Sequence, residues 1–138
     1  MNLAVASALD AVRAERGSRF VTAFGKAQAV LDQFGEFRIA SRVVSEAPHA
    51  SSKDIADLLS IMFWMGTDNG AGIRREAEEW LATATDAQRV EVALHLESYP
   101  FLDRLEMDRV LRDVASIHSH LRDRCFELIE ARKREHEG

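Results

Sequence analysis

Apolar residues return at steps of three and four along almost the whole of this chain, and that regularity restricts what it can become. Such spacing lines one face of a helix with 3.6 residues per turn, whereas a half-buried strand needs alternation at every second position. Only Pro48 and Pro100 bar a segment from helix. The 138 residues suit one domain, and a 46% hydrophobic content can fill its core. The expectation is an all-α chain forming a single helical domain over residues 1–138. Its architecture would be an irregular bundle of five to seven helices with a long C-terminal helix.

The segments follow from local signals. Val5, Leu9 and Val12 form the stripe of a first helix over Leu3 to Glu15, which Gly17 ends and after which Ser18 can cap the next. Phe20, Phe24, Ala27, Leu31 and Phe34 make an aromatic-rich second face, interrupted by Gly35. Ile39, Ala40, Val43, Val44 and Ala47 read as a third helix, although residues 37–44 also alternate as a strand would. Ser51 or Ser52 with Asp54 opens the next helix, which runs through Ile55, Leu58, Leu59, Met62 and Phe63. Because Ile61, Trp64 and Met65 make it apolar nearly all round, this helix belongs at the centre of the domain or under an interface.

A Gly-rich loop at residues 66–72 leads to a short helix marked by Ile73, Ala77, Trp80 and Leu81. Thr85-Asp86-Ala87-Gln88 matches a capping box. The last helix is expected to run unbroken from Phe101 to Lys133, with Pro100 suited to its entry and a seam through Met107, Val110, Val114, Ile117, Leu121, Cys125 and Leu128. Such a helix would be a rod of roughly 50 Å, longer than the domain is wide, so part of it would protrude, kink or pair with a twin in a homodimer. Residues 134–138 are expected to lack fixed structure.

One cysteine, Cys125, excludes an internal disulfide and suits a reducing compartment. The greasiest run, Leu58 to Met65, is far shorter than the roughly 20 residues that cross a bilayer, and the N-terminus lacks a basic leader. The expected setting is the cytoplasm. Net charge is −5, and residues 51–100 carry essentially all of the excess, with four basic against nine acidic groups. That balance disfavours nucleic acid, which calls for a basic stripe.

Motifs for chemistry are sparse. His118 and His120 stand two apart, on different helix faces, and Glu91 with His95 is half of a metal site without a second half. No Gly-x-Ser-x-Gly elbow, P-loop or dinucleotide fingerprint occurs, so neither a cofactor nor a metal is expected. Gly70 and Gly72, opening a helix with Arg74 and Arg75 behind them, can form an anion site, against which Glu76, Glu78 and Glu79 argue by repulsion. Ser51 to Ile61 resembles the first helix of a helix-turn-helix, but an apolar run and an acidic second helix follow where DNA would be read.

The expected function is therefore a protein-binding module without catalytic groups. Small acidic helical proteins of this kind act as inhibitors, immunity proteins or antitoxins by occluding a basic site on a partner protein. The candidate contact residues are Asp54, Asp57, Trp64, Glu76, Glu78, Glu79 and Trp80, which combine an acidic face with aromatic anchors. A helix-turn-helix regulator, or an enzyme assembling distant groups such as Glu91, His95 and His118, are the alternatives.

Overall fold

The helix that is apolar on every side does lie at the centre. In the computed structural model, which describes residues 1–137 and side chains to Glu135, this helix is α4 (Ser52–Phe63). It packs against α1 (Leu3–Glu15), α2 (Val21–Phe34), α3 (Ile39–Glu46), α5 (Ala71–Thr83) and α6 (Ala87–Leu94). Ile55, Leu58, Leu59 and Met62 are almost wholly excluded from water. Truncating any of these to alanine removes packing worth about 2–5 kcal/mol. Ser51 caps α4 by accepting the Asp54 N–H at 3.3 Å, as its position before the apolar run implies. The chain is all-α, with no strand among the described residues, and 37–44 resolves as a turn at Phe37 and Arg38 followed by α3.

The C-terminal third departs from expectation. The helix does not begin at Phe101, whose φ of +62° places it in the left-handed region. Asp103 starts α7 (Arg104–Ile117) by accepting the Leu105 N–H at 3.0 Å. The chain then breaks at His118, makes a single 3-10 turn over Ser119–Leu121, and continues as α8 (Arg122–Glu137), the longest helix. α7 and α8 pack on each other, so the seam residues Val110, Val114, Cys125 and Leu128 bury internally. No 50 Å rod exists, and the reason for expecting a protruding helix and a twin disappears with it. Helix α8 also carries through Arg134 to Glu137, where no fixed structure was expected; Gly138 lies outside the described residues.

The break has long-range causes. The His118 ring nitrogen meets the Ala84 carbonyl at 2.7 Å, holding the corner against the end of α5. Arg132 is buried and donates to the carbonyls of Pro100, Phe101 and Leu102 at 2.8–3.1 Å, while Glu78 accepts the Phe101 N–H at 2.8 Å. Together these fix residues 100–102 in a non-helical path and leave α7 to start three residues late. On the outer face of α7, Asp108 pairs with Arg112 one turn along.

Candidate functional site

Most of the acidic residues that the sequence offered as a contact face turn out to hold the bundle together. Asp54 is buried and receives Arg13 at 3.3 Å and Arg16 at 2.6 Å, tying α1 to α4. Asp57 takes the same Arg16 guanidinium at 2.8 Å and Lys53 at 3.0 Å. Glu76, only 4% exposed, accepts the N–H groups of Ala40 and Ser41 at 3.1 and 3.0 Å. Those amides belong to the first turn of α3, whose entry residue Arg38 has φ +51° and offers no side-chain cap. A carboxylate from α5 thus does the capping and meets the positive end of the α3 dipole.

The same device recurs elsewhere. Glu15 accepts the N–H groups of Thr22 and Ala23 at 3.0 and 2.6 Å, opening α2 where Ser18 was the expected cap. Those bonds, Thr22 first, hold the Glu15 carboxyl below its ordinary range. Glu36 accepts from the Thr67 backbone at 2.6 Å, and Glu78 braces Phe101 as described. Glu79 is exposed and pairs with Arg38 at 3.2 Å. At α6 the cap is Asp86, bonded to the Arg89 N–H at 3.1 Å, one residue later than the Thr85 box implies. Gln88 instead reaches the carbonyls of Pro48 and Ala50.

The anion loop is filled from within. Asp68 places one carboxylate oxygen 3.0 Å from the Gly70 N–H and the other 2.8 Å from the Gly72 N–H. The Phe63 ring lies against Gly70, where any Cβ would collide with it, and Gly70 has a φ of +79° that glycine alone adopts freely. Arg74 leans toward Glu78 at 3.9 Å, and Arg75 is exposed without an ion pair among the described residues. Arg75 and Arg38 line a cleft of about 320 Å³ with Glu36, Asp68 and Glu79. Glu76 lines it as well, and four carboxylates beside two guanidiniums make that cleft a poor host for a free anion.

The two tryptophans separate. Trp80 is core, 8% exposed, with the Arg89 guanidinium 5.6 Å above its ring. Trp64 stands 70% exposed at the end of α4, its ring edge-on to Phe63 at 5.1 Å. Phe37, which sequence reasoning passed over as part of a helix or strand, is 88% exposed. It lies beside Glu36, whose carboxylate ties its loop to the turn that follows Trp64. Trp64 walls a second cleft of about 240 Å³, closed by Ser60, Phe63, Leu96, Glu97 and Ser98.

The groups named for the alternatives do not converge on a reactive centre. His118 is engaged by the Ala84 carbonyl, while burial and then Arg124 push the His95 pKa down. Among the described residues no three His, Cys, Asp or Glu side chains are grouped to hold a metal. Burial pushes the Cys125 thiol up to about 11, far from the thiolate a nucleophile needs. The turn from α4 to α5 runs over seven residues, Trp64 to Gly70, against the three or four of a helix-turn-helix. No helix of the described residues is long and apolar enough to cross a membrane. Compared with known proteins, the chain matches no family, no curated sequence and no solved structure.

Proposed function

We propose that this protein is a binding module that acts by covering a basic site on a partner protein, with Trp64 at the centre of the contact. The observation that carries the reading is a large aromatic side chain left 70% exposed at the end of the most buried helix among the described residues. Tryptophan is enriched among the residues that dominate binding energy, and an indole with two side-chain torsions loses little freedom on docking. Phe37 is a second exposed aromatic side chain, 88% exposed. The net charge of −5 favours a basic partner and speeds the encounter.

The contact set differs from a simple acidic face. Asp54, Glu76 and Trp80 are interior, Asp57 and Glu78 are held by partners within the chain, and exposed Glu79 pairs with Arg38, which leaves Trp64 and its exposed neighbours to meet a partner. The test is affinity capture from nuclease-treated extract of the producing cells, on immobilised wild type and on Trp64→Ala. A stoichiometric protein held by wild type should bind Trp64→Ala about 30-fold more weakly, as a hot-spot loss of about 2 kcal/mol requires. Equal retention on both columns, or recovery of nucleic acid alone from untreated extract, would overturn the proposal.

A further inference from the structure

The cleft beside Trp64 has a chemistry of its own. Its floor is apolar, since Phe63 and Leu96 are 7% and 9% exposed. Its wall is the Trp64 ring, and at its rim stands Glu97, which is exposed. The Glu97 N–H donates to the Ser60 hydroxyl at 3.2 Å, so the backbone carrying this carboxylate is anchored to α4. At about 240 Å³ the space is smaller than the roughly 300–1,000 Å³ of small-molecule sites and suits one long side chain.

Glu97 is set apart by what it does not do. Of the nine acidic residues between 51 and 100, seven accept a hydrogen bond or an ion pair within the chain: Asp54, Asp57, Asp68, Glu76, Glu78, Glu79 and Asp86. Only Glu91 and Glu97 have no such partner among the described residues, and Glu97 alone of the two lines a cleft. Arg74 lines an adjoining pocket with Phe63 and Leu96, and it leans toward Glu78. A free carboxylate, an indole face and an apolar floor in one small recess complement a cation on an aliphatic stem.

We propose that this cleft receives an arginine side chain of the partner protein, its methylenes lying over Phe63 and Leu96 and its guanidinium held between Trp64 and Glu97. Arginine is favoured over lysine because a planar, weakly hydrated cation stacks on an indole while donating to a carboxylate. The inference rests on the protein-binding reading above and names the chemistry that the partner presents.

The probe is a capped Gly-Arg-Gly peptide, titrated at millimolar concentration into the 15N-labelled full chain, beside an otherwise identical citrulline peptide. The arginine peptide should move the Trp64 indole N–H and the amides of residues 96–98. Citrulline in its place, or Glu97→Gln in the protein, should weaken binding roughly three- to tenfold. No movement of these signals, or equal affinity for citrulline, overturns the assignment. Partner capture separates the two readings. If capture fails with Trp64→Ala but is unchanged with Glu97→Gln, the binding module stands and the arginine site falls. If the arginine peptide binds as expected while capture ignores Trp64→Ala, the cleft's chemistry stands and the module reading falls.

Discussion

Replacing Glu76 by alanine should cost this protein about 2–5 kcal/mol, a large part of the roughly 5–15 kcal/mol that stabilises a domain of its size. The figure follows from what the carboxylate touches. Its two oxygens accept the N–H groups of Ala40 and Ser41, and Ala40 is wholly buried. Alanine at 76 leaves the Ala40 N–H without an acceptor in a place water does not reach, at about 1–3 kcal/mol. Ser41 is only partly buried, so water can replace its lost bond at a cost nearer 1 kcal/mol. Removing a negative charge from the start of α3 adds about 0.3–1 kcal/mol through the helix dipole. Glu76→Gln keeps one acceptor oxygen but turns an NH2 group toward a donor, so it should recover less than half of the loss.

The control is three residues away. Glu79 is exposed and pairs only with Arg38, so Glu79→Ala should cost under about 0.5 kcal/mol. Urea unfolding followed by circular dichroism, with amide exchange at Ala40 and Ser41 in the folded state, measures both variants. Fast exchange at those two amides in Glu76→Ala would locate the damage at the α3 cap. A Glu76→Ala cost below 1 kcal/mol, or one equal to that of Glu79→Ala, would refute the capping argument.

Three other outcomes follow from the same geometry. Cys125, buried on the α7–α8 seam and with its thiol pushed up to about 11, should resist alkylation at neutral pH and react only at the rate of unfolding. A fast native reaction would contradict its placement. Burial lowers the His95 pKa from its ordinary value, so the folded state disfavours the proton that the unfolded chain accepts. The associated stability is complete above about pH 6.5 and declines as pH falls below it, so His95→Asn should flatten the stability profile between about pH 7 and pH 5. Arg132→Lys leaves a compact ammonium where a fork reaches three carbonyls, and it should cost about 1–3 kcal/mol by urea unfolding.

The features legible in the sequence are those whose cause lies within a few residues. The α4 stripe, its Ser51 cap and the stop at Gly17 are all read within one or two turns of helix. The break at His118 could not be read that way, because the apolar steps continue across it through Ile117 and Leu121 without proline or glycine. It depends on Ala84, 34 residues earlier, and on packing α8 back onto α7. The caps on α2 and α3 divide likewise. Glu15 acts over eight residues and Glu76 over 36, and no spacing rule links a carboxylate to amides at such distance. The one signal available was negative: neither Phe20 nor Arg38 can cap with its own side chain, so each helix start needed an acceptor from elsewhere.

That accounting changes what the acidic excess of residues 51–100 means. Read as composition, five net negative charges describe a surface that attracts cations. In the fold, Glu76 and Glu78 accept backbone N–H groups, Asp68 closes its own loop, and Asp54 with Asp57 draws α1 onto α4 through Arg16. Each of these bonds needs an acceptor at its place, so reversing the charges to probe recognition would break helices instead. Charge reversal at Glu76, Glu78 and Glu79 together is therefore a stability experiment. A recognition experiment must use carboxylates the fold leaves idle, and on the surface of this third that criterion, with exposure at a cleft, selects Glu97 beside Trp64.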